Sequence, residues 1–230
     1  MTPPQGVRLW LLVAAPLIAQ FAFAGLAAGL LRAMGLIDAG TGADLTSLPQ
    51  ALVLLASYAV FAGAILIAAR AIGQPVEVLA LRRVALGRGV ALGAAGLLAG
   101  IACAIALEPI FHGQASQRID IGDVSGPASA LALGISVLTV VGAAALLEEV
   151  YFRGLLYGRL DERLGVASAI VASGGIFGLV HFEPNAFPTL FALGLILGVL
   201  RWRSGSIWPG VGVHAANNAL AIVGLLIASS

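Results

Sequence analysis

Five polar side chains stand out in the second half of the chain because they lie within or beside strongly apolar runs. Glu148 and Glu149 follow Leu-Leu and precede Val-Tyr-Phe, and His181 ends another apolar run. His214 and Asn218 lie inside the last apolar run of the chain. Polar and ionisable groups are costly inside a bilayer, so each of these residues is a hypothesis for a functional site.

The two glutamates are predicted to have different roles. Glu149 and Arg153 are four residues apart and share a helix face, which favours an ion pair. Glu148 points about 100° away from Glu149 on the same helix. A second interpretation is that both glutamates lie at a helix end among lipid headgroups, balanced by nearby arginines. The spacing alone leaves both interpretations open.

The histidines also have two interpretations each. His214 and Asn218 are four residues apart and can face one point, whereas Asn217 is turned about 60° aside. These groups could instead form hydrogen bonds between membrane helices. A histidine such as His181, at the end of an apolar run, is commonly an interfacial or packed residue.

Together these side chains could hydrolyse a peptide bond. Hydrolysis needs a base that takes a proton from water and donors that stabilise the tetrahedral oxyanion. No serine is marked as a nucleophile by a neighbouring base. Glu148, His181 and His214 are also plausible zinc ligands, although the HExxH pattern is absent. On residue chemistry, a metal-free and a zinc-dependent site both stay open.

The composition indicates that helices in a membrane must position these groups. Hydrophobic residues make up 60% of the chain and charged residues 10%, against about 25% charged in a typical soluble domain. The net charge of +1 gives no reason to expect nucleic acid as a partner. Cys103 is the one cysteine, which excludes an intramolecular disulfide and a cysteine metal cluster.

The apolar runs predict an all-α, polytopic transmembrane bundle of about seven spans. Backbone groups in lipid must be hydrogen-bonded within the segment, and these runs lack the alternation of barrel strands. The predicted spans are 7–31, 49–69, 89–111, 127–147, 166–182, 187–200 and 207–228. If the helix carrying Glu148 continues to a turn near Gly165, then Glu148 and His181 lie at nearly equal height on neighbouring helices, 17 and 16 residues from that turn.

The arginines predict an orientation. With the N-terminus inside, ten of the twelve basic residues fall in inside segments, and only Arg32 and Arg118 fall outside. This asymmetry is a strong positive-inside bias. Seven spans then place the C-terminus outside. We expect a multi-pass protein of the cell membrane, and a bacterial cytoplasmic membrane fits the arginine- and glycine-rich composition.

Three motifs, in order, resemble those of the type II CAAX prenyl endopeptidases, the CPBP group of CAAX proteases and bacteriocin-processing proteins. They are Glu148-Glu149-x-x-x-Arg153, Phe177-x-x-x-His181 and His214-x-x-x-Asn218. The resemblance extends over roughly residues 127–228. It therefore divides the chain into N-terminal transmembrane helices without a recognised motif, 1–126, and a catalytic transmembrane core, 127–230.

The resemblance implies a role for each residue in an intramembrane endopeptidase. Glu148 would be the base that activates water, and His181 would help to bind that water. His214 and Asn218 would stabilise the oxyanion, and Glu149 and Arg153 would support the site structurally. It also favours a mechanism without a metal or other cofactor, with zinc as the alternative.

The implied substrate is a membrane-associated protein or a peptide, met within the lipid bilayer. Two other functions remain open. One is an immunity or scaffold protein of the same family without catalysis. The other is a small transporter that uses the same groups as a proton or ion site, although no inverted repeat is visible.

Overall fold

Helices form nearly all of the regular structure in the computed structural model, which describes residues 5–37, 43–73, 75–113, 119–122 and 124–228. In chain order they are α1 Gln5–Ala33, α2 Leu48–Ile72, α3 Pro75–Val78, α4 Leu86–Phe111, α5 Pro127–Leu164, α6 Val166–Leu179, α7 Phe187–Ser204 and α8 Trp208–Ala228. Two short strands, β1 Ala43–Asp44 and β2 Ile119–Asp120, pair in parallel.

Five of these helices are long and apolar enough to cross a bilayer: α1, α2, α4, α5 and α8. The other two predicted spans form α6, with 14 residues, and α7, with 18 residues. The predicted all-helical, multi-pass membrane fold is therefore confirmed, and the crossings by α6 and α7 stay a prediction. Of the arginines used for the orientation, Arg118 lies outside the described residues.

Helix α5 carries both glutamates and contains two stretches with wider, π-helical turns. It continues without a break past the predicted span end to Leu164, and the chain turns at Gly165, whose φ is +78°. The segments Leu138–Ala144 and Val150–Leu156 are π-helical, and Ala145–Glu149 between them is α-helical. Such wide turns are rare and occur often at functional sites.

The chain forms two compact units, each built from separate segments. One contains Met1–Gly73, Arg118–Leu147 and Asn218–Ser230. Within it α1 packs on α2, and Ser136 Oγ donates a hydrogen bond of 3.0 Å to the Leu45 carbonyl. The side-chain amide of Asn218 donates a bond of 2.9 Å to the carbonyl of Val140, in the first π-helical stretch.

The other unit contains Gln74–Gln117 and Glu148–Asn217. Its centre is the contact of α6 with α7, which approach closely where glycine faces glycine. A Cβ added to Gly194 would lie 2.8 Å from the Gly174 Cα. A Cβ added to Gly154 on α5 would lie 2.6 Å from the Leu79 carbonyl oxygen. Small residues thus let the backbones of this unit pack without intervening side chains.

Candidate active site

The candidate site contains a buried ion pair between Glu149 and Arg153. Arg153 Nη1 lies 2.9 Å from Glu149 Oε1, and both side chains are fully buried. The pair predicted from the four-residue spacing is therefore present. Arg153 also donates through Nη2 to the Gly194 carbonyl at 3.1 Å, and its guanidinium carbon lies 4.7 Å from the centre of the Phe177 ring. These contacts fix the carboxylate of Glu149 and join α5 to α6 and α7.

The imidazole of His214 faces both glutamates. Its Nδ1 lies 3.3 Å from Glu149 Oε1, and its Nε2 lies 3.8 Å from Glu148 Oε2. An ionised carboxylate only accepts, so Nδ1 donates to Glu149. The distance of 3.8 Å between Nε2 and Glu148 Oε2 is longer than a hydrogen bond. These two atoms are therefore close neighbours without a hydrogen bond between them. Residues 65 positions apart in sequence thus meet in one buried cluster.

His181 has its tautomer set by the backbone. Its Nδ1 lies 2.7 Å from the carbonyl oxygen of Phe177, which can only accept, so Nδ1 carries the proton. In the neutral ring the Nε2 lone pair is then left to accept a hydrogen bond. His181 follows the end of α6, and its side chain is exposed.

The ring of Phe177 packs against both histidines. Its centre lies 4.9 Å from the ring centre of His181 and 5.5 Å from that of His214, both edge to face. The aromatic contacts therefore link the exposed histidine to the buried one. Sequence reasoning used Phe177 only as part of a motif and did not predict this packing role.

Gly210 on α8 makes room for Glu149. A Cβ added at this position would lie 2.6 Å from Glu149 Oε2, closer than real side chains approach. Gly210 is the third residue of α8 and is buried. The structure shows that Gly210 lets the last helix approach the buried carboxylate.

We expect Gly210→Ala to destabilise the protein by about 1–3 kcal/mol because overpacking forces the carboxylate to move. Gly212→Ala is the matched control, since a Cβ there meets nothing within 4 Å. An alanine in an exposed helix position is favourable over glycine by up to about 1 kcal/mol. Thermal unfolding of both variants in the same detergent checks this, and equal stability of the two would contradict the proposed contact.

Asn218 lies in the compact unit that contains Met1–Gly73 and Arg118–Leu147. Its side-chain amide uses one hydrogen in the bond to the Val140 carbonyl. A side-chain amide has two N–H donors, so the second is not consumed by this bond. Within the residues the structure describes, no group of three or more His, Cys, Asp or Glu side chains is arranged to hold a metal ion. Zinc binding by Glu148, His181 and His214 stays a prediction, as does the metal-free site.

Comparisons with known proteins agree with the motifs. Residues 129–220 match the family described as Type II CAAX prenyl endopeptidase Rce1-like. A protein of Bacillus subtilis (strain 168), named "Putative membrane peptidase YdiL", is 31% identical over 94 residues. This match spans 41% of the present chain and 38% of that protein. No solved structure matches the chain. The resemblance predicted from the three motifs is confirmed, and all three lie inside the matched segment.

Proposed function

We propose that this chain is an intramembrane endopeptidase that cleaves a membrane-associated protein or peptide by a glutamate-activated water. The observation that carries the proposal is the buried cluster in which His214 faces Glu148 and Glu149 at once. A histidine and two carboxylates are costly within membrane helices, so their presence together favours a functional site. The cluster also lies in the segment that matches a family of membrane endopeptidases.

In this mechanism Glu148 takes a proton from a water molecule whose oxygen attacks the scissile carbonyl carbon. His181 accepts a hydrogen bond from that water through Nε2, the nitrogen that its bond to Phe177 leaves unprotonated. The new O–C bond places the negative charge on the carbonyl oxygen. The C–N bond then breaks, and Glu148 returns the proton to the leaving nitrogen.

His214 and Asn218 stabilise the oxyanion in this proposal. His214 already donates Nδ1–H to Glu149, so donation to the oxyanion uses Nε2–H and requires both ring nitrogens to carry protons.

Asn218→Ala is expected to cost far more activity than Asn217→Ala. Removing one preorganised oxyanion donor lowers turnover by about 10²- to 10³-fold, whereas a hydrogen bond between membrane helices contributes about 0.6 kcal/mol. Asn218→Ala also loses the bond to Val140, so stability is measured beside turnover in both variants. Equal losses of turnover at both positions would refute the oxyanion role of Asn218.

We propose that the N-terminus is inside and that the chain leaves the membrane on the outside after α8. The support is the excess of arginine in the segments assigned to the inside. Reporter fusions at Gly122 and after Ala228 should both report the outer side. An inside location after Ala228 would show that α6 and α7 do not both cross the bilayer.

Cleavage by the purified protein in lipid nanodiscs tests the function. Candidate substrates come from membrane proteomics that compares cells with wild-type protein and cells with Glu148→Gln. Prenylated and unprenylated CAAX peptides are tested beside them. Cleavage should appear with the wild-type protein and survive exhaustive chelation. Loss of cleavage on chelation with recovery on adding zinc would favour the zinc site. Proton transport in vesicles without any cleavage would refute the peptidase.

A further inference from the structure

A second polar surface lies where α4 and α8 begin and α7 ends. Four exposed arginines lie there, together with two tryptophans that are 48% and 46% exposed. We call this the arginine surface, and it consists of Arg82, Arg83, Arg88, Arg203, Trp202 and Trp208. None of these residues takes part in the proposed hydrolysis.

Hydrogen bonds hold the three segments of the arginine surface together. Arg88 Nη2 donates to the Arg203 carbonyl at 2.6 Å, which joins the first turn of α4 to the last turn of α7. Ser206 Oγ donates to the Arg82 carbonyl at 2.6 Å. These bonds therefore connect the segments that carry the arginines, so the arginines do not lie on independent loops.

The arginines of this surface form no ion pair with the acidic side chains that the structure describes. Arg159, in contrast, lies 2.6 Å from Glu162. The guanidinium of Arg203 lies 4.7 Å from the centre of the exposed Trp202 ring. The surface thus combines exposed arginine side chains with amphipathic aromatic rings.

We propose that the arginine surface binds the headgroup phosphates of anionic phospholipids. The surface lies at the ends of three predicted membrane helices, which is the depth of the headgroups. Tryptophan is enriched at that depth, and guanidinium groups bind phosphate oxygens in pairs. Leu86, at the start of α4, is 83% exposed beside the arginines and suits the adjoining acyl chains. An acidic soluble partner would not explain these exposed apolar and aromatic groups.

Quenching of tryptophan fluorescence by brominated lipids tests this inference directly. The chain has three tryptophans, so Trp10→Phe leaves only Trp202 and Trp208 as reporters. Brominated phosphatidylglycerol should quench them more strongly than brominated phosphatidylcholine at the same mole fraction. Each arginine near an anionic surface strengthens association by about fivefold, so Arg83→Gln should weaken the phosphatidylglycerol preference by about that factor.

Matched variants separate the effect of the arginine surface on lipid preference from the effects of total charge and of folding. Arg32→Gln removes one exposed arginine from the last turn of α1 and should leave the preference unchanged. Replacing all four arginines of the surface by glutamine should abolish it, and replacing them by lysine should retain most of it. Equal quenching by both lipids in the wild-type protein would overturn the inference, as would the same loss in Arg32→Gln. Neither result bears on cleavage, so this inference can fail without the proposed function failing.

Discussion

Glu148→Gln is expected to lower turnover by about 10²- to 10⁴-fold, the usual contribution of a general base, while the protein stays folded. The amide has the shape of the carboxylate but cannot take a proton from water. Glu148 lies at the edge of the buried cluster, with its side chain 14% exposed, and the ion pair of the cluster is formed by its neighbour. Its replacement therefore leaves the buried charge pair in place. The measurement is kcat on a substrate identified with the wild-type protein.

The control for this experiment is Glu162→Gln, which removes an exposed carboxylate paired with Arg159 near the end of α5. Its turnover should stay close to that of the wild-type protein. A thermal unfolding curve for each variant separates lost chemistry from lost folding. If folded Glu148→Gln kept most of the wild-type turnover, Glu148 would not be the base, and the mechanism would have to start from another residue.

Local geometry explains why much of this site could be predicted from sequence. Four-residue spacing fixes a shared helix face, so the pair of Glu149 and Arg153 follows once the segment is helical. The height comparison of Glu148 with His181 assumed a turn near Gly165, and the structure has a turn with a positive φ there. The helix ends were less accurate. The span predicted to reach residue 182 stops being helical at Leu179, which leaves His181 in the connection that follows.

Contacts between distant segments could not be predicted because one sequence does not show which helices are neighbours. The packing of Phe177 against two histidines and the contact of Gly210 with Glu149 depend on how α5, α6 and α8 meet. The π-helical stretches on each side of Ala145–Glu149 also leave no periodic signal in a run that is apolar on all faces. The role of Asn218 as an oxyanion donor stays a prediction, and its bond to Val140 was not predicted.

Arg153→Met is expected to destabilise the protein by about 3–5 kcal/mol because it leaves the fully buried carboxylate of Glu149 without its cation. The double variant Glu149→Gln, Arg153→Met should be more stable than Arg153→Met alone, since no uncompensated charge is then buried. Glutamine is chosen because its amide oxygen can still accept the hydrogen bond from His214.

The control is Arg159→Met, at the partly exposed pair with Glu162, which should cost at most about 1 kcal/mol. Chemical unfolding of the wild-type protein, Glu149→Gln, Arg153→Met and the double variant in one lipid–detergent mixture gives the coupling energy between residues 149 and 153. Additive losses in the double variant would mean that Arg153 acts through its bond to the Gly194 carbonyl and its contact with Phe177, and not through Glu149.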